Sequence, residues 1–180
     1  MKSLVMKLKW LAVVPVLLFI AACSDNSGSA SNTNTPGNTN TTSKSTDVAI
    51  MDVYKSETCG CCEYWISHIK TAGFHSVIHH PDDMGVVKSA NGIEPQFRSC
   101  HTGISKDGFV FEGHIPAHLI KKFLAEPPKN AIGLAVPGMP LGSPGMEVED
   151  RFSPYQVLVL NSDGTSRVFA EVKTAREQYE

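Results

Sequence analysis

The sequence predicts an α/β domain in which strands and helices alternate, and two observations carry that expectation. Short β-branched or alternating runs recur between stretches of helical apolar spacing, with Gly, Pro, Asn and Asp at the junctions. A dense thiol motif, Cys59-Gly60-Cys61-Cys62, falls where the first strand hands over to the first helix. A chain of 180 residues with 42% hydrophobic and 19% charged residues suits one such domain plus an appendage.

The appendage comes first. Lys2, Lys7 and Lys9 form a positive segment, and Leu11 to Ala22 is apolar apart from Pro15. The run is short for a membrane span and ends in small residues, so residues 1–22 read as a secretory signal. Ile20-Ala21-Ala22-Cys23 resembles a bacterial lipobox, which makes Cys23 the lipidated first residue of the mature chain. A soluble secreted protein cut near Ala22 is the plainer reading, but a polar tether follows directly. Residues 23–47 are Ser, Asn, Thr and Gly with almost no apolar side chains. They cannot bury enough surface to offset chain entropy, so they are expected to be a flexible linker. Ser24 after the cysteine points to outer-membrane sorting among lipoproteins. Three of the 16 basic residues and none of the 18 acidic ones lie in 1–22, so the remainder is more acidic than the whole chain's −2. That balance gives no footprint for nucleic acid.

Residues 48–180 are then the domain. Val48 to Tyr54 alternates with β-branched residues and predicts a strand. Ser56 to Cys61 reads as a turn. Trp65, Ile66, Ile69 and Ala72 have helical spacing, so a helix is expected over 62–72, capped by Gly73. Ser76 to His79 predicts a second strand. Pro81-Asp82-Asp83 opens a second helix running to about Ala90. Ser99 to Ser105 and Phe109 to His114 flank an Asp107-Gly108 pair, a hairpin signal. Pro116 to Ala125 predicts a third helix, ended by Pro127-Pro128. Residues 131–148 carry enough Pro and Gly to exclude a regular element over most of their length, and form a loop bearing Met139 and Met146. Gln156 to Leu160 and Ser166 to Val172 make a final hairpin. The order β-α-β-α-β-β-α is that of a variant thioredoxin-like fold, with an added C-terminal hairpin and a Pro/Gly/Met loop.

Five cysteines are present, and outside the cytoplasm two disulfides are the bland reading. The spacing argues against that. A Cys61–Cys62 bridge closes a strained small ring, and a Cys59–Cys62 bridge closes a loop too short to constrain much. Cys62 at a helix start sits where the dipole and free N–H groups favour thiolate, the form that both metal binding and disulfide exchange require. Topology brings the far residues in: parallel first strands end beside His79 and His80, and the antiparallel hairpin starts at Cys100-His101 and ends at His114 on the same edge. Topology brings His101 to this edge as well, while strand alternation would turn it to the face opposite Cys100, so its place in the site stays open. His79, His80 and Met84 read as solvent or helix-start residues, and His68, His75 and His118 as surface positions. Thiolates with imidazole and thioether form a soft donor set. It favours Cu(I), with Zn and Fe–S as competitors, and bridging thiolates allow more than one ion.

TCGCC at 58–62, SCHT at 99–102, EGHIP at 112–116 and GMPLGSPGME at 138–147 together resemble the CopG family of copper-resistance proteins. The resemblance spans roughly residues 48–172. It implies a variant thioredoxin fold, a periplasmic location, and copper held by the CxCC cysteines as a thiolate-bridged cluster that cycles between Cu(I) and Cu(II). The expected metal residues are Cys59, Cys61, Cys62, Cys100, His114, Met139 and Met146. The expected partners are copper ions and other periplasmic copper-resistance proteins, with membrane contact only through the lipid on Cys23. Two other classes compete. A thiol–disulfide oxidoreductase would use Cys59 and Cys62. However, the position before the third strand holds Ser99-Cys100, not the proline such enzymes share, and a third thiol would trap the mixed disulfide. An interaction module with vestigial cysteines would tolerate Cys-to-Ser changes.

Overall fold

The computed structural model describes residues 49–180. The expected signal segment, Cys23 and the linker lie outside the described residues. Seven strands form one mixed sheet in the order β2-β1-β3-β4-β5-β6-β7, and three helices complete an α/β fold. The strands are β1 (Ala49–Lys55), β2 (Phe74–His79), β3 (His101–Ser105), β4 (Val110–Glu112), β5 (Ala131–Ala135), β6 (Tyr155–Asn161) and β7 (Ser166–Val172). The helices are α1 (Gly60–Thr71), α2 (Met84–Ala90) and α3 (Ala117–Ala125). The β1–β2 and β4–β5 pairs are parallel and the other four antiparallel. Among the described residues no helix is long and apolar enough to cross a membrane.

Alternation along the strands builds two cores. Met51, Val53, Phe111, Leu134 and Val159 pack with Trp65, Ile69, Ile120 and Phe123 of α1 and α3. Their sequence neighbours Val110, Ala135 and Leu160 join Ile93 in a second cluster. Adjacent residues of one strand enter different clusters because successive side chains point to opposite faces.

The element boundaries differ from the sequence expectation in instructive ways. Helix α1 begins at Gly60, two residues early, so Cys61 and Cys62 lie inside its first turn and Cys59 is the N-cap. Helix α2 begins at Met84 because Asp83 is its cap, accepting from the Gly85 and Val86 N–H groups at 2.6 and 3.4 Å. The stretch 131–148, expected to be loop over most of its length, opens with β5. Buried Leu134 and Ala135 pair with β4 on one side and β6 on the other. Its Gly133 is a packing requirement rather than a breaker, since a Cβ there would fall 1.8 Å from the Val110 carbonyl oxygen. Through β5 the added hairpin becomes continuous with the main sheet.

Candidate metal centre

The N-terminal turn of α1 places three sulfurs together, and a buried lysine fixes the approach to that turn. Lys55 ends β1 on the same parity as Met51 and Val53 and is fully buried. Its ammonium donates to the Ser56 carbonyl at 3.0 Å and pairs with Glu63 of α1 at 2.9 Å, tying the loop before Cys59 to the helix. Cys59 and Cys62 are joined in a disulfide, while Cys61 and Cys100 are free. The sequence argument against that bridge concerned its value as a fold staple. It did not bear on a local redox pair at a helix terminus, where a CxxC spacing closes readily. The sulfurs of Cys59, Cys61, Cys62 and Cys100 all lie within 4.8 Å of one another.

Cys100 enters from the far side. It precedes β3 by one residue, and its neighbour Ser99 is held by two contacts. The Ser99 N–H donates to Glu112 at 2.6 Å, and its hydroxyl donates to the Gly138 carbonyl. Glu112 is itself paired with buried Lys88 at 2.5 Å and accepts from Thr102 at 2.6 Å. Lys88 and Glu112 are both buried, and pairing and hydrogen bonding make that burial tolerable.

His114 lies two residues beyond β4. Gly113, at φ +78°, makes the turn that carries it inward; a Cβ there would meet the Val136 carbonyl at 2.6 Å. His114 Nδ1 donates to the Pro144 carbonyl at 2.8 Å, which leaves Nε2 unprotonated and 3.1 Å from the Cys100 sulfur. A backbone carbonyl fixing the tautomer in this way is the usual outer support of a metal-bound imidazole. Burial lowers the His114 pKa, which the Pro144 bond opposes, so the ring is neutral near pH 7.

The structure brings His101, which the sequence left open, to the site: Cys100 is not in the strand, so the two residues do not alternate. His101 is fully buried against Trp65, with ring centroids 4.2 Å apart, and its Nδ1 is 3.3 Å from the Cys100 sulfur. Its Nε2 has no hydrogen-bond partner. Burial first, then nearby His114 and Lys88, hold its pKa well below the ordinary imidazole value. One ligand atom each from Cys100, His101 and His114 forms a second close group, within 4.8 Å. Burial and the adjacent Cys61 push the Cys100 thiol up to about 12.

The methionines separate. Met146 lines a cleft with Gly60, Cys61 and Tyr64, whereas Met139 is 54% exposed. The loop that carries them has a clear structural task. Gly145, at φ +86°, lies so close to α1 that a Cβ would meet the Trp65 nitrogen and Cys61 oxygen at 2.6 and 2.7 Å. Pro144 is thereby delivered to His114. His79 pairs with Asp52 at 2.6 Å, and His80 donates to the Lys55 carbonyl, so neither joins the cluster. His68 is not a plain surface residue, because its Nε2 accepts the Ala117 N–H at 3.0 Å and caps α3. Lys55 was missed in the sequence although a lysine at buried parity in an apolar strand was a visible signal.

Fold and site together define an α/β protein with a cysteine and histidine cluster able to bind metal. The model of a family described as a protein of unknown function, DUF411, matches residues 97–146. Two solved structures of copper resistance protein CopG, forms 1 and 2, are each 44% identical to this chain over 69% of its length. They are covered to 97% and 98% of their own lengths, with a TM-score of 0.65 for both. No curated protein matches. The chain belongs to the CopG family of copper resistance proteins.

Proposed function

We propose that the protein binds copper on the periplasmic side of a bacterial membrane as part of copper resistance, cycling it between Cu(I) and Cu(II) at a thiolate-bridged multicopper site. The observation that carries this reading is the convergence of four cysteine sulfurs within 4.8 Å beside His114, whose tautomer leaves Nε2 free to coordinate. Four soft donors at bridging distance suit Cu(I) better than a hard cation. Cys59, Cys61, Cys62, Cys100 and His114 are the proposed ligands, with Met146 at the mouth and Met139 as an outer thioether. The scaffold is a variant thioredoxin-like domain spanning 48–180. In this reading the chain is cleaved after residue 22, lipidated on Cys23 and tethered by 23–47 at the outer membrane, with other periplasmic copper-resistance proteins as partners.

The test is copper content and X-ray absorption of chain loaded anaerobically with Cu(I) after reduction, beside the Cys59→Ser, Cys61→Ser, Cys62→Ser triple variant. Several coppers in a sulfur-dominated shell with short metal–metal distances, lost in the variant, are expected. Equal copper in both proteins would sink the reading.

The Cys59–Cys62 disulfide favours a second reading, a thiol–disulfide oxidoreductase. Rapid insulin reduction by metal-free protein, abolished by Cys59→Ser, would put that reading first.

A further inference from the structure

The disulfide divides the donor set, and the part it leaves intact is itself a site. With Cys59 and Cys62 joined, neither sulfur is a thiolate, yet Cys100, His101 and His114 remain assembled on elements the bridge does not touch. Cys100 is common to both groups, so it belongs to the all-sulfur cluster in the reduced chain and to the mixed group in the bridged one. The geometry points to a single-copper site of Cys100, His101 and His114 that persists when the bridge is closed, with free Cys61 on its open side. This inference rests on copper being the cargo, and adds that bridge closure changes the capacity of the centre from several ions to one.

Three features support it. Two imidazole nitrogens already face one sulfur, at 3.3 and 3.1 Å. With metal–sulfur and metal–nitrogen bonds of about 2.3 and 2.0 Å, a trigonal or tetrahedral ion needs sulfur–nitrogen separations of about 3.5–3.7 Å. Each ring therefore recedes by only a few tenths of an ångström. His101 is completely buried and packed against Trp65, so its ring is already held with Nδ1 toward the thiol. Finally, neither support of this group uses a bridged sulfur: Pro144, seated on α1 through Gly145, orients His114, and the Glu112–Ser99 contact holds the turn before Cys100. One thiolate and two imidazoles form a donor set that accepts copper in either oxidation state.

The experiment uses the full chain in two forms, fully reduced and with the Cys59–Cys62 bridge closed, each loaded anaerobically with Cu(I) against a competing chelator. Peptide mapping after loading verifies the bridge. We expect several coppers in the reduced form and one in the bridged form. The bridged form should show a mixed sulfur and nitrogen shell with no short metal–metal distance. In the unmodified bridged chain the ¹⁵N shifts of both imidazoles should move on loading, a readout that requires no variant to fold. His101→Ala and His114→Ala, checked for folding by circular dichroism, should each weaken copper retention by the bridged form at least tenfold. A bridged chain that keeps no copper while the reduced chain keeps several would overturn this inference and leave the proposed function standing. An all-sulfur shell, or a bridge that opens on loading, would also overturn it. Copper held by neither form would remove the proposed function and this inference together.

Discussion

Cys100 carries the pH response of the centre because its thiol must lose a proton before the sulfur can ligate. Burial and Cys61 push that proton's pKa up to about 12, so the thiol is protonated at pH 7 and a bound metal must displace it. Copper loading at pH 7 should therefore release close to one proton from this residue. Calorimetry in two buffers of different ionisation heat measures the number, and a Cys100→Ser variant that released as many protons as the unmodified chain would refute the assignment. The histidines act on stability instead. His101 and His114 titrate below the ordinary 6.5 because burial disfavours their charged forms. Such groups contribute fully above pH 6.5, and the contribution is lost as pH falls from there toward the folded values, since the unfolded chain binds more protons. Metal-free protein should melt at progressively lower temperature below pH 6.5, and His101→Gln should flatten that slope. Most of this chemistry was legible in the residues, because three thiols in four positions have few purposes and hairpin topology returns Cys100 and His114 to the same edge. His101 was left open by the sequence, because alternation from Cys100 applies only if Cys100 lies in the strand, and the strand begins at His101, two residues after Ser99.

At the scale of elements, the Pro/Gly/Met loop acts as a clamp on α1. Its glycine touches the helix backbone, its proline carbonyl orients His114, and Glu147 receives the Gly145 N–H at 2.8 Å and the Tyr179 hydroxyl at 2.8 Å. Buried Gln178 adds a bond from its side-chain amide to the Gly142 carbonyl at 2.9 Å, so the C-terminal turn holds the loop from outside. Gly145→Ala meets both a positive φ and the helix backbone. It should cost about 2–3 kcal/mol, seen as a lower midpoint in urea, with faster amide exchange across residues 142–147. An unchanged midpoint would mean that the loop is not seated on the helix. The helices and hairpins could be read from periodicity and turn chemistry, since those signals are local. Strand β5 could not. Its glycine and following prolines mimic a loop, and only the neighbouring Val110 carbonyl explains why glycine stands inside a strand.

Across the whole domain, the candidate ligands come from three separate places: the start of α1, the turn before β3 and the turn after β4. The second and third belong to one hairpin, but 38 residues separate Cys62 from Cys100, so only the fold brings the first to them. Between them run the sheet, the Lys88–Glu112 pair and the Trp65 indole, which donates to the Ile115 carbonyl at 2.9 Å. An ion bound there cross-links α1 to β3 and β4 and exists only in the folded chain, so binding energy becomes folding energy. At free metal about 1,000 times the dissociation constant, the native state gains about 4 kcal/mol. The melting temperature of the reduced domain should rise with free Cu(I) and fall back on adding a chelator. The triple cysteine variant should lose most of that rise while keeping its metal-free melting temperature within a few degrees. The basis for the second half of that prediction is packing: Cys59 and Cys61 are partly exposed, buried Cys62 is replaced by a serine of nearly the same shape, and the large apolar side chains of the cores lie elsewhere. A variant that melted far lower without metal would show that the thiols hold the fold together, making them structural first and ligands second.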